Sequence, residues 1–418
     1  MSPDRPLKIL VLGLNYAPEL VGIAIYTTGM AEELARRGHE VRVVAGKPYY
    51  PAWKVPDQFR GGWRRRTREN GVELVRVAHY VPAKPSGAKR LLHHASFAIS
   101  SLLPTLAASR QMRPDVVLTI APSLIAAPVA KLASLFSGAK TWLHIQDFEV
   151  EAAMATGLID NGNLAARLAR WFELKVLSLF DRVSSISPAM CRKLVDKGVT
   201  PGRVFEFRNW ADIAAIKPLS GPSPYRVEWG ITAPHVALYS GNIGNKQGIE
   251  IVVETARLLK HRKELVFVVC GQGPNRSNLE AQAADLDNIL FRDLQPKERL
   301  GDLVGLATIH LLPQLAGAAD LVLPSKLTNM LASGRPVVAT AATGTGLAGE
   351  VEGCGLIVSP GDDAAFANAI ERLLDDDALR EKLGVAARNR AEQVWDRERI
   401  IDGFEAQLGQ LIEQPSRR

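Results

Sequence analysis

Lys246 and Lys326 are the residues around which chemistry could be built. Lys246 shares a turn with Gly241, Asn242 and Gly244, after an apolar run at 236–239 and before a helical repeat over 249–259. Such a turn leaves backbone N–H groups unpaired at a helix start, where the aligned peptide dipoles favour an anion. Glycine lets the anion approach closely, and lysine adds a full charge. A phosphate or diphosphate suits the place, although a plain strand–helix connection fits these residues equally well.

A second segment of the same kind shifts the balance. Ser325 can cap a short helix over 326–333 that starts at Lys326 and carries Leu327 and Asn329; Gly334 stops it, and Pro336, Val337 and Val338 open another strand. Two such turns on neighbouring parallel strands would aim both lysines at one crevice. The run 265–274 repeats the pattern and adds Gly271 and Gln272 to the donor side. Breaking the anomeric C–O bond of a sugar diphosphate builds negative charge on the departing diphosphate, which fixed N–H dipoles and lysines can stabilise without rearrangement. Acidic metal-binding patterns are weak: the D-x-D at 285–287 lies at a helix end and the run at 375–377 reads as a helix terminus, so no metal is expected.

In the first half, the buried run 140–145 leads directly into Gln146, Asp147, Phe148 and Glu149. Polar groups at the carboxyl end of a parallel strand belong to the crevice face, which makes Asp147 the acid/base or sugar-binding candidate, with His144 and Glu149 beside it. The loop over 15–24 is longer than a connection requires and contributes Tyr16 and Glu19 as acceptor-side candidates, with Gly22 just before a helix. Each of these, taken singly, is also readable as a satisfied structural group.

Strand and helix alternate throughout, so the fold class is α/β, with two doubly wound sheets facing each other. At 418 residues, with 47% hydrophobic and 23% charged residues, the chain suits two domains. The expected bounds are 1–215 and 216–393, with 394–418 as a final helix and the proline, glycine and serine run 218–224 as the linker. The net charge of +7 is compatible with nucleic acid, an anionic membrane or a phosphorylated substrate. Cys191, Cys270 and Cys354 are scattered, which fits a reducing, cytoplasmic location. The apolar stretch 116–130 is short and carries Pro122 and Pro128, against about 20 residues for a span. Around Trp63 cluster Arg60, Arg64, Arg65, Arg66 and Arg68, and an apolar helix follows over 91–109. A basic loop beside an apolar helix suits peripheral docking on an anionic bilayer, and a solvated charge run beside a core helix is the plainer alternative.

The ordered set of segments resembles the GT-B glycosyltransferases of the large retaining family 4, and within it the WcaI-type branch of colanic acid and exopolysaccharide assembly. The segments are the loop before Gly22, 34–44 (LARRGHEVRVV), 240–248 (SGNIGNKQG), Leu294-Gln295-Pro296, and Pro324-Ser325-Lys326 followed by 334–338 (GRPVV). The resemblance implies an acceptor-binding N-terminal Rossmann-like domain, a nucleotide-sugar-binding C-terminal one, and a last helix that crosses back. It implies transfer from a nucleoside diphosphate sugar to a polyprenyl-diphosphate-linked glycan at the cytoplasmic face of the inner membrane. Carried onto this chain, Gly22 faces phosphate, Asn242, Gly244 and Lys246 lie at the diphosphate, Lys326 reaches phosphate or ribose, Leu294 and Gln295 border the base, and Asp147 faces the acceptor or anomeric centre. Two departures stand out. Asn242 occupies the place of the family's phosphate arginine, and Asn329 that of the second glutamate of its paired motif, with Asp320 the acid nearby. Two rival readings are a nucleotide-sugar 2-epimerase of the same architecture, which has no use for a membrane face, and a basic nucleic-acid-binding protein, which has only the arginine cluster in its favour.

Overall fold

Unbroken apolar runs make the central strands because helices cover both faces of a parallel sheet. In the computed structural model, which describes residues 5–19, 22–151, 164–211, 213, 215–244, 247–315 and 326–414, β5 and β6 below are buried at every position. The chain divides into two units, Met1–Arg208 with Ile400–Arg418, and Asn209–Arg399.

The strands of the first unit are β1 (Lys8–Gly13), β2 (Glu40–Gly46), β3 (Arg64–Glu69), β4 (Val72–Val77), β5 (Val116–Ala121), β6 (Lys140–Ile145), β7 (Arg182–Ser185) and β8 (Val204–Glu206). They form one sheet in the order β3-β4-β2-β1-β5-β6-β7-β8, parallel except where β3 runs against β4. Order reverses between β1 and β5, so the loops after these two strands flank the natural ligand position. Arg64, Arg65, Arg66 and Arg68 of the arginine cluster lie in β3 rather than in the expected loop. Its charges suit an edge strand, and one of them is paired there, Arg66 with Glu73 at 2.6 Å, while Glu69 of β3 is taken by Arg76 of β4 at 2.6 Å.

Helices α1 (Gly22–Arg36), α2 (Gly87–Met112), α3 (Ala127–Ser137) and α4 (Leu164–Leu179) cover this sheet. Strand side chains alternate between faces. Leu143 and Ile145 join Phe97 and Ala130 in the core under α2 and α3. Trp142 and His144 point the other way, where α5 (Arg397–Glu413) delivers Phe404 onto Phe207 at 4.2 Å and Trp142 at 4.8 Å. Glu405 fixes that return by meeting Arg37 at 2.8 Å and His39 at 3.0 Å.

The second unit holds β9 (His235–Ser240), β10 (Leu265–Cys270), β11 (Ile289–Arg292), β12 (Ile309–Leu312), β13 (Val337–Thr340) and β14 (Gly355–Val358). Their order is β11-β10-β9-β12-β13-β14, all parallel, with the reversal between β9 and β12. The run 218–224 is no free linker. The Ser223 hydroxyl donates to the Asp302 carbonyl at 2.7 Å, and Tyr225 beside it is fully buried.

Candidate donor site

Lys326 opens the short helix Lys326–Ala332 and lies over β9, at the point where strand order reverses. Its ammonium sits 4.1 Å from the centroid of the Tyr239 ring and donates to the Tyr239 hydroxyl at 2.9 Å. That hydroxyl in turn donates to the Asn242 carbonyl at 2.6 Å. The chain of two bonds couples the lysine to the glycine turn. Burial pushes the Lys326 amine down to about 7 and pushes the Tyr239 phenol up, so the phenol stays neutral. Gly241 has a φ of +140°, a backbone conformation that favours glycine, and it lies in van der Waals reach of the Lys326 side chain.

Gly271, expected on the donor side, and Gly273 each let backbone approach closely. A Cβ on Gly271 would lie 1.8 Å from the Gly241 carbonyl oxygen, and one on Gly273 would lie 2.2 Å from that of Ile243. These absences let the loops after β9 and β10 interlock. Gly241 donates to Cys270, Ile243 to Gln272 and Asn275 to Ile243, at 2.9, 2.9 and 3.1 Å. The Asn275 side chain adds a bond to Glu250 at 2.7 Å. Gln272 therefore contributes through its backbone carbonyl to the brace while its side chain is exposed. Gly244 is buried, with the Gln247 and Asn242 side chains close to where a Cβ would stand, and the Asn242 side chain itself is exposed.

Of the remaining donor-side residues, Leu294 is exposed and Gln295 accepts from the Tyr225 hydroxyl at 3.1 Å. The Leu327 side chain is fully buried in the core with Met330 and Leu331, where it anchors the helix that carries Lys326, so only its backbone could face a donor. Asn329 is partly exposed on the same helix. Lys246, Asp320 and Ser325 lie outside the described residues. Of the D-x-D, Asp285 pairs with Arg257 and Asp287 with Lys263 at 3.7 Å, on the surface.

The first unit redistributes its candidates. Burial pushes the Asp147 carboxyl up and the charge of Glu149 adds to this; the two line a narrow crevice with Leu124 and Leu177. Glu149 itself accepts from the Ser123 and Leu124 N–H groups at 2.5 and 2.8 Å, tying the loop after β6 to the loop after β5. Glu19 likewise accepts from the N–H groups of Tyr49 and Tyr50 at 2.8 and 2.9 Å and from the Asn15 amide at 2.8 Å. Both carboxylates are braces for loops at the switch point. Tyr16 is buried, and Gly22, with φ +41°, begins α1. His144 is a core histidine: it meets Ser184 Oγ at 2.9 Å, packs on Phe207, and burial lowers it to about 3. Asp147 and Glu149 both carry a raised carboxyl and line that crevice, but Glu149 is committed to the Ser123 and Leu124 N–H groups, which leaves Asp147 as the first-unit candidate for chemistry.

Residues 21–210 match the Glycosyl transferase 4-like domain, and residues 225–390 match Glycosyl transferases group 1. The chain is 41% identical over 408 residues to the Escherichia coli K12 protein named "Putative colanic acid biosynthesis glycosyl transferase WcaI", covering 95% of this chain and 98% of that one. The chain belongs to glycosyltransferase family 4. It is also 30% identical to a D-inositol 3-phosphate glycosyltransferase of Kineococcus radiotolerans, over 53% of this chain and 55% of that protein. Among solved structures it resembles sucrose-phosphate synthase from Thermosynechococcus elongatus (TM-score 0.74, 18% identity, 97% and 99% of the two chains). It also resembles Anabaena HepE in complex with UDP and glucose (TM-score 0.68, 16% identity, 97% and 100%). Both likenesses place the two sheets in the GT-B fold.

As a family 4 glycosyltransferase the chain uses a nucleotide sugar, and the epimerase and nucleic-acid readings fall away. Tyr239 is the site residue that sequence reasoning passed over. Its signal is modest: a phenol in an otherwise aliphatic buried strand, two residues before the glycine turn.

Proposed function

We propose that this family 4 enzyme transfers a sugar, with retention and without a metal ion, to a polyprenyl-diphosphate-linked glycan in exopolysaccharide assembly at the cytoplasmic face of the membrane. The observation that carries the donor half is Lys326, held by Tyr239 at the strand-order reversal of the second unit. An amine lowered by burial regains its proton when a diphosphate arrives, and that charge is then strongest where the leaving group develops its own. The backbone N–H groups of the glycine turn are the second source of stabilisation. Asp147, raised and set in its crevice, serves the acceptor hydroxyl or the anomeric centre. Support for an exopolysaccharide acceptor comes from the name of the 41%-identical relative.

The test is transfer of radiolabelled sugar from UDP- and GDP-sugars into the organic-soluble lipid fraction of exopolysaccharide-producing cells. The wild type should label a lipid, and Lys326→Met should lose most of that activity. Conversion of free nucleotide sugar with no lipid product would sink the proposal.

A further inference from the structure

The face of the first unit formed by α2, α3 and α4 carries an apolar surface that nothing in the described structure covers. On α2, Leu91, Leu92, Ile99 and Leu103 fall on one side of the helix, with Ile99 75% and Leu103 66% exposed. The opposite side of α2, with Phe97, Ser101 and Met112, is buried against the sheet. Next along the face, α3 exposes Leu135 and Phe136, at 70% and 69%, and is fixed to α2 by the Ser109 hydroxyl, which donates to the Ala133 carbonyl at 2.7 Å. α4 then adds Leu168 and Trp171, at 56% and 63%. Isolated exposed leucines are ordinary, but large exposed apolar side chains on each of three neighbouring helices mark a surface that meets another phase or molecule.

Charge decides which. The three helices carry Lys89, Arg90, Arg110, Lys131, Arg167, Arg170 and Lys175, and their sole acid is Glu173, buried and paired with Lys197 at 2.6 Å. By length and composition α2 could cross a bilayer, yet its buried side packs against β1, β2, β4 and α3, so it is built to lie on one. We infer that the α2–α3–α4 face docks in the surface of an anionic bilayer, with the aliphatic and aromatic side chains among the acyl chains and the cations at the phosphate level. The arginines of β3, of which Arg66 is paired with Glu73 of the same hairpin, are a lesser part of the contact.

This placement has a purpose that rests on the lipid-linked acceptor proposed above. The first turns of α2 adjoin the acceptor-side loops: the His93 ring is 4.5 Å from Tyr49, and His94 Nε2 is 3.8 Å from Glu149. A glycan on a polyprenyl diphosphate would therefore approach the acceptor-side loops from headgroup depth, with its lipid still in the leaflet.

Vesicle co-sedimentation of the full chain, without nucleotide sugar or acceptor, tests docking independently of transfer. The wild type should bind phosphatidylglycerol-rich vesicles and not phosphatidylcholine ones. The triple variant Ile99→Gln, Leu103→Gln, Trp171→Gln should lose binding by about tenfold or more. A control triple of exposed apolar residues in the second unit, Val227→Gln, Leu258→Gln, Val385→Gln, should bind as the wild type does. Brominated acyl chains should quench the Trp171 emission, a signal that Trp171→Phe removes. Undiminished vesicle binding by the face triple overturns the proposal. So does a wild type that ignores vesicles and is instead a dimer that the face triple makes monomeric, since the occupant would then be a second copy. Unchanged thermal unfolding of the triple shows that lost binding is not lost folding.

Discussion

Donor affinity should weaken as pH rises above about 7, because binding is linked to protonation of Lys326. In the free enzyme burial lowers this amine to about 7; beside a bound diphosphate it should return at least to the ordinary lysine range. The bound state then holds a proton that the free state lacks. Affinity is full below pH 7 and falls tenfold per unit above it, until the pKa of the complex is reached. At pH 8.5 the loss relative to the low-pH plateau is roughly 30-fold, or about 2 kcal/mol at 1.36 kcal/mol per pKa unit. A nucleotide sugar is the right ligand for the assay, since its diphosphate is doubly esterified and does not titrate in this range. Isothermal titration in buffers of differing ionisation enthalpy should show about one proton taken up per donor at pH 8.5. Lys326→Met should bind weakly and without that slope. The folded apoprotein should show the converse linkage: the unfolded chain keeps the proton to about pH 10.4, so stability rises with pH from about 7 to that value. A pH-independent wild-type affinity, or an equal slope in Lys326→Met, would refute the assignment.

Tyr239→Phe removes both bonds of the relay and strands the Asn242 carbonyl; it should lower stability by about 1–3 kcal/mol in urea denaturation and weaken the donor as well. A neutral result in both assays would reduce Tyr239 to core packing. Gly271→Ala places a methyl group against the Gly241 carbonyl, so the two glycine loops must separate; loss of donor protection in thermal unfolding is expected, and unchanged protection would show the interlock to be dispensable. Asp147→Asn should lower kcat far more than it raises the donor Kd, and equal turnover would leave Asp147 a structural residue.

The long aliphatic runs were legible because a two-sided parallel sheet demands them: β1, β5, β9 and β10 stand where the apolar pattern put them. The β3–β4 hairpin was not, since RRRTRE has no apolar alternation; only pairing with β4 makes it a strand. Lys326 could be read from its glycine-stopped helix, whereas its partner Tyr239 lies 87 positions away and is joined to it by folding alone. For the same reason Glu19, Glu149 and His144 looked like chemistry. A polar residue at the end of a buried strand has one sequence signature whether it holds a substrate or a neighbouring loop, and only the partners of Glu19 and Glu149, backbone N–H groups of adjacent loops, decide it. The apolar face of α2 to α4 was half visible: helical spacing marked α2 as apolar, but which side meets the sheet depends on the neighbours it packs against.

The most direct test of the donor site is a crystal structure of the enzyme with a nucleoside diphosphate bound. The account predicts a diphosphate oxygen within hydrogen-bond reach of Lys326 Nζ, about 2.7–3.2 Å, and over the glycine turn that follows β9. A diphosphate seated elsewhere, with Lys326 still bonded only to Tyr239, would contradict it.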